Sequence, residues 1–226
     1  MSTPEETNET ITLSGNDWSN RSNADTIPCP ALLSFYNNGL LNPDKDGNVK
    51  TADLDKVLES VGLSAAVRKV LVQGADETDE IPESFNLFAL RDSKLDHTGS
   101  TGIRDPKVNP NNLQDALLQF NKDGRMYTEH FAEAANHAQK KDPGIQGTII
   151  QTLEFTALLE VFGRVDESNN RYVTVDDVKD LWLDGKFPKD WKPRATDEIG
   201  FDDVTREIVG MLTNRLVKRW FRKKKA

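Results

Sequence analysis

The chain has one cysteine, Cys29, and it lies between two prolines in the sequence TIPCPALL. A single cysteine cannot form an internal disulfide, and an unpaired cysteine is most often a small buried apolar side chain. Pro28 favours an extended residue before it, and Pro30 suits the first position of a helix because it has no N–H group to leave unpaired. Cys29 is therefore predicted at a helix N-cap, where the helix dipole and the N–H groups of Ala31 and Leu32 favour a thiolate. Such a thiolate could bind a metal or attack an electrophile.

Two other segments contain side chains suited to acid–base or metal chemistry. Glu154 lies in TLEFTALLEVFG, whose apolar character predicts partial burial, and burial raises the pKa of a carboxyl group. From the residues alone, a carboxylate on the helix surface is the more ordinary interpretation. Glu160, six residues further on, points to a different face of the helix. The loop DHTGS contains Asp96, His97 and Ser100, and its residues also suit an Asx turn with a structural histidine.

Taken in order, these segments resemble the fungal-type haem-thiolate peroxidases and peroxygenases related to chloroperoxidase. That family has a Pro-Cys-Pro segment leading into a short helix, here IPCPALLSFYNNGLL. It has a Glu-His-Asp or Glu-Gly-Asp loop followed by a serine, here DHTGS, and a helical glutamate followed by Phe-Gly, here Glu154 with Phe162 and Gly163. The resemblance covers residues 26–192.

The resemblance implies a haem b cofactor with Cys29 as the axial ligand of the iron. A thiolate donates electron density to haem iron and so favours cleavage of the O–O bond of hydrogen peroxide. Glu154 is implied as the catalytic acid–base group, because peroxide must lose a proton from one oxygen and gain one on the other. His97 is implied beside Glu154, where it orients the carboxylate. Thr98 stands where the family has aspartate, so any histidine–carboxylate coupling is weaker here.

In the same family, a small cation bridges the loop to a haem propionate. Asp96 stands where the family usually has glutamate, and the backbone of His97 and the hydroxyl of Ser100 complete the implied protein ligands. Oxygen ligands with retained water suit Mg²⁺. Because aspartate is one methylene shorter than glutamate, the loop either lies closer to the ion, or the ion is bound through water or lost.

The expected function is the hydrogen-peroxide-dependent oxidation of a small hydrophobic organic substrate. Oxygen insertion and one-electron oxidation are both compatible with this chemistry, and they differ in how substrate is admitted. Phe88 and Phe155 are predicted to contact the haem or its channel, with Phe85 and Leu87 as further candidates, although such residues more often pack in a core. One alternative is a relative that kept the fold and lost the haem.

A second alternative is a non-enzymatic calcium-binding protein. The segment 42–47 reads NPDKDG and has the acidic spacing of an EF-hand loop with glycine at the sixth position, and segments 120–124 and 166–170 echo it. Each departs from the full motif in its closing residue or its glycine. Asx turns and helix caps are the more ordinary interpretation of all three segments.

The spacing of apolar residues predicts an all-α fold, a single compact helical domain that encloses a haem. Residues 1–25 are predicted to form a disordered or draped N-terminal arm, residues 26–200 the haem-thiolate domain, and residues 201–226 a basic amphipathic C-terminal helix. Helices are predicted over 30–38, 51–61, 64–74, 111–119, 128–140, 147–162 and 174–183.

The formal net charge of −8 argues against a nucleic-acid partner. The acidic N-terminus lacks the features of a signal peptide, so we expect an intracellular protein, or a secreted one if an export signal precedes this sequence. The tail LVKRWFRKKKA leaves two interpretations open. Either the apolar side of this helix packs on the domain, or that side enters a membrane while the basic side chains meet anionic lipid headgroups.

Overall fold

The structure is a computed structural model that describes residues 18–73, 83–90, 113–138, 144–195, 198–200, 202–206, 208–210 and 213. Its named α-helices are α1 (Pro30–Asn37), α2 (Thr51–Ser60), α3 (Ala65–Gln73), α4 (Thr128–Ala138), α5 (Gly144–Phe162) and α6 (Val175–Lys179). The strands are β1 (Asn48–Lys50), β2 (Ser84–Asn86), β3 (Arg125–Tyr127), β4 (Arg164–Val165) and β5 (Arg171–Thr174). Shorter helical turns occupy Ala24–Thr26, Gln114–Leu118 and Asp180–Asp184.

The prediction of an all-α fold is wrong, because the helices are joined by two small antiparallel sheets. β1 pairs with β2, with Val49 opposite Phe85. The second sheet has the order β3-β5-β4, with Met126 opposite Val173. The strands are two to four residues long, too short for the alternation that identifies a strand in a sequence. The fold is therefore mixed, with helices that dominate and short sheets that connect them.

The helices themselves lie close to their predicted positions. α1 begins at Pro30 and is followed by Asn38 and by Gly39, whose φ of 74° lies in the left-handed region. α5 begins at Gly144 rather than at residue 147. The predicted helix over 174–183 consists of α6 and a π-helical turn, and Thr174 and Asp177 form the predicted capping box at its start.

Three of the strands lead directly into helices, so that each forms a loop–strand–helix unit. β1 leads into α2, β3 into α4 and β5 into α6. In the loops before β1 and β5 the aspartates form Asx turns: the Asp44 carboxylate accepts the N–H groups of Asp46 and Asn48, each at 2.9 Å, and Asp166 accepts two N–H groups in the same way. The Asx-turn interpretation is thus confirmed for these loops. Among the described residues, no three His, Cys, Asp or Glu side chains form a cluster that could hold a metal ion.

α5 is the central element of the core. Phe155 and Leu159 are fully buried, and the other side chains that the structure describes between Thr152 and Phe162 are buried or partly buried. Glu160 is also fully buried, and it forms ion pairs with Arg171 of β5 at 2.8 Å and with Arg194 at 3.1 Å. Two partners for one carboxylate offset the cost of burying its charge. Glu160 therefore joins α5 to the second sheet and to the chain that follows it.

The described part of the N-terminal arm packs against α1 and the turn after α6. The Trp18 indole donates to the Asp184 carbonyl at 3.0 Å, and the Arg21 guanidinium lies 4.2 Å from the centre of the Tyr36 ring. The segment 214–226, with the basic end of the tail, lies outside the described residues, so its membrane contact stays a prediction. No helix in the described ranges has the length and apolar content needed to span a membrane.

Candidate functional site

A cavity of about 200 Å³ lies between α1, α5 and the pair of helices α2 and α3. Cys29 at the start of α1 and Glu154 on α5 both line it. The opposite wall is made of leucine side chains, namely Leu54, Leu58, Leu63 and Leu71. Apart from Cys29, Glu154 and the indole of Trp182, the described side chains around this cavity are apolar. The structure therefore brings a thiol and a carboxyl group together on one largely apolar cavity.

Cys29 occupies the predicted N-cap of α1, with Pro30 at the first helical position. Its backbone is extended, with φ −85° and ψ 120°, as expected between two prolines. Burial raises the pKa of the Cys29 thiol to about 11, although the N–H groups of Leu32 and Ala31 act to lower it. The predicted effect of the helix terminus is thus present, but burial outweighs it.

Glu154 is partly exposed and lies on the cavity face of α5. Ala157, Leu158 and Val161 follow it at helical spacing on the same face. The Glu154 carboxylate is close enough to Cys29 for its negative charge to contribute to the raised pKa of the thiol. Glu160 points away from the cavity into its ion pairs, which confirms that the two glutamates lie on different faces.

Phe155 lines the cavity and is fully buried, with its ring 4.8 Å from that of Phe131. Phe88 is not among the cavity-lining residues, and its ring meets Tyr36 edge-on at 5.5 Å. Phe85 pairs with Val49 in the first sheet, and Leu87 is fully buried in the core. The structure thus places one of the four apolar candidates, Phe155, at the cavity.

Asp96, His97 and Ser100 lie outside the described residues. The implied Mg²⁺ ligands and the partner of Glu154 therefore stay predictions. His130 and His137 do not line the cavity. The His130 ring accepts the N–H of Tyr127 through Nδ1 at 3.0 Å, and the His137 ring centre lies 5.2 Å from that of Phe120.

Several cavity residues were not identified from the sequence. Leu54 and Leu58 are four residues apart on α2, so their spacing does show an apolar face, but it does not show what that face covers. Leu181 and Trp182 come from the π-helical turn after α6. A π-helical turn shifts side chains from the positions that helical spacing predicts, so no sequence pattern pointed to these two residues.

The chemistry of the lining fits a haem-thiolate site. Cys29 offers a soft sulfur ligand next to helix N–H groups, and the apolar side chains suit the faces of a porphyrin. The cavity volume of about 200 Å³ is smaller than the roughly 300–1,000 Å³ typical of ligand pockets. Haem binding would therefore need a wider cavity than the one in this structure. Cys29 would hold the iron, and Phe155 would contact the ring.

No family model matches the chain, and no curated protein gives a significant match to it. The resemblance to the haem-thiolate peroxidases consequently depends on the quoted residues, their order along the chain and the chemistry of the cavity.

Proposed function

We propose that the protein is a haem-thiolate oxidoreductase that uses hydrogen peroxide to oxidise small hydrophobic organic substrates. The observation that supports this proposal most is the placement of Cys29 and Glu154 on one apolar cavity. These residues are more than a hundred positions apart in the sequence, and they are the two that the resemblance implies as the axial ligand and the acid–base group.

Each side chain has a distinct task in this function. The N–H groups of Leu32 and Ala31 hold negative charge on the Cys29 sulfur once its proton is displaced by a metal. When bound, haem supplies the O–O bond cleavage that a thiolate ligand favours. The Glu154 carboxylate would accept a proton from one oxygen of hydrogen peroxide and donate it to the other, which leaves as water; the remaining oxygen is either transferred to the substrate or reduced to water by two electrons from substrate. Leu158 and the leucines of α2 and α3 exclude bulk water, and their surface selects apolar substrates.

The decisive experiment is the titration of the purified protein with haem, followed by the absorption spectrum of the reduced carbon monoxide complex. We expect one haem per chain and the red-shifted Soret band of thiolate ligation. Cys29→Ala removes the sulfur and should abolish that band. Cys29→Ser is the matched control, because a hydroxyl keeps the N-cap of α1 but cannot give a thiolate spectrum.

A thiolate spectrum that persists in Cys29→Ala would show that the axial ligand is misassigned. Failure of the unaltered protein to take up haem would contradict the proposed function itself, and it would favour the haem-free relative or the calcium-binding alternative. Addition of Ca²⁺ to the same sample separates these two, since a calcium-binding protein gains thermal stability with the ion.

A further inference from the structure

An aromatic cluster connects the cavity to the protein surface. Phe162 lines the cavity and is 2% exposed. Its ring centre lies 5.3 Å from that of Trp191 and 6.1 Å from that of Phe187, and the last two rings are 4.7 Å apart. Trp191 is partly exposed. The three rings are therefore in continuous contact from the cavity wall to a tryptophan that solvent can reach.

A hydrogen bond makes a second connection between Trp191 and the cavity wall. The Trp191 indole N–H donates to the carbonyl of Val161 at 2.7 Å, and Val161 also lines the cavity. A backbone carbonyl is a good hydrogen-bond acceptor and a very weak base. An indole bonded to it therefore keeps its proton when it loses an electron, so the oxidised ring stays a strong oxidant.

The size of the cavity limits what can be oxidised inside it. A cavity of about 200 Å³ is below the usual size of a small-molecule pocket, so a phenol attached to a polymer is too large to enter it. Trp182 also lines the cavity, but it is 2% exposed and cannot meet a large molecule. Of the described tryptophans, Trp191 both contacts the cavity wall and reaches the surface.

We propose that Trp191 is a surface site of one-electron oxidation for phenols too large to enter the cavity. This inference rests on the haem-thiolate function proposed above. Hydrogen peroxide is the oxidant: it takes up two electrons and two protons and becomes two molecules of water. Each electron leaves the Trp191 indole toward the cavity and is replaced by one from a phenol at the surface. Each phenol also releases its hydroxyl proton to solvent and becomes a phenoxyl radical, so two phenols are consumed per peroxide.

The test uses the haem-loaded protein whose thiolate spectrum has been recorded. Peroxide is added with a spin trap, and the modified residue is located by peptide mass spectrometry. Oxidation of phenol groups coupled to dextran is then compared with oxidation of free phenol. Trp191→Phe keeps an aromatic ring against Phe162 and removes the oxidisable indole. Trp18→Phe is the matched control, because Trp18 is also partly exposed but contacts Lys186 and the Asp184 carbonyl instead.

We expect the spin-trap adduct on Trp191 in the unaltered protein and in Trp18→Phe. In Trp191→Phe the oxidation of dextran-coupled phenol should fall by about tenfold or more, while oxidation of free phenol changes little. Undiminished oxidation of the dextran-coupled phenol by Trp191→Phe overturns this inference and leaves the proposed function intact. Absence of the thiolate spectrum overturns both. If Trp191→Phe does not fold, the position of the spin-trap adduct in the unaltered protein decides. Absence of an adduct on Trp191 would then show that Trp191 is not a site of one-electron oxidation.

Discussion

Burial and helix capping act on the Cys29 thiol in opposite directions. Burial, the larger effect, raises its pKa, and so does the charge of Glu154, whereas the N–H groups of Leu32 and Ala31 lower it. The net result is a thiol that keeps its proton at neutral pH. A metal that binds the sulfur must displace this proton, so uptake of a ferric haem should become tighter as the pH rises.

The reactivity of Cys29 toward iodoacetamide in the haem-free protein should follow its raised pKa. Alkylation is expected to be slow at neutral pH and to rise with a midpoint at about 11, compared with 9.0 for an ordinary thiol, because the thiolate is the reacting form. Between these two values the folded state keeps a proton that the unfolded state has lost, so the free energy of unfolding should decrease as the pH rises. Free N-acetylcysteine serves as the control. A midpoint below 9.0 would mean that the helix N–H groups outweigh burial.

Replacement of Glu154 by glutamine should separate its chemical role from a structural one. Glutamine has the same shape, so we expect an unchanged haem spectrum in Glu154→Gln. Peroxide activation should slow by about 10²- to 10⁴-fold, the usual contribution of a positioned acid–base group. Stopped-flow measurement of the reaction with peroxide gives the rate. Glu167→Gln, on an exposed loop, is the control and should leave this rate unchanged. An unaffected rate in Glu154→Gln would instead assign the proton transfer to His97.

At the scale of elements, the position of α1 depends on a close contact with the turn after α6. Gly185 has a φ of +62°, and a Cβ added to it would lie 2.4 Å from Cγ of Leu33 on α1. The Asn37 amide at the other end of α1 donates to the Asp184 carbonyl at 3.0 Å. The helix that presents Cys29 is thus held by residues far along the chain.

Gly185→Ala should push α1 away from this turn. We expect a loss of unfolding free energy larger by about 1–3 kcal/mol than in Gly39→Ala, because the added methyl group overpacks the contact with Leu33. Gly39 is the matched control: its φ of +74° imposes a similar backbone strain, but nothing lies within 4 Å of an added Cβ. Urea denaturation of both variants provides the comparison. Equal losses would show that backbone strain alone is responsible and that α1 tolerates the methyl group.

The same elements show how much could be predicted from the sequence. The N-cap at Cys29 followed from two prolines, and the capping box at Thr174 followed from a local motif, because both depend on neighbours along the chain. The strands were missed because pairing such as Met126 with Val173 is a long-range contact between very short segments. That Cys29 and Glu154 share a cavity depends on how α1 packs against α5, which helical spacing does not specify.

At the scale of the whole molecule, Glu160 links α5 to two parts of the chain that follow it. Its carboxylate is fully buried and pairs with Arg171 of β5 and with Arg194. The chain beyond Arg194 returns to the first half of the protein, where Ile199 forms backbone hydrogen bonds with Gly62 and Ser64 at 2.8 and 3.0 Å. One buried charge thus joins the core helix, the second sheet and the returning segment.

Glu160→Gln should lower the free energy of unfolding by about 3 kcal/mol, since it leaves two arginines without their shared negative charge. Asp184→Asn provides the control, because the Asp184 side chain pairs with Lys186 at the surface and such pairs contribute about 0–1 kcal/mol. Chemical denaturation measures both changes. A loss in Glu160→Gln no larger than in Asp184→Asn would mean that the buried pairs contribute little net stability.

The contacts of α1 with Gly185 and of Gly62 with Ile199 also set an order of events during synthesis on the ribosome. The segment with the thiol leaves the ribosome early, but residues that hold its helix and close the leucine wall emerge only after most of the chain has been translated. A nascent chain stopped before Ile199 therefore presents Cys29 before the hydrogen bonds that flank Leu63 of the cavity have formed. If the protein binds haem as proposed, the cofactor would therefore enter only after Ile199 has been synthesised, so a chain truncated before Ile199 should take up no haem.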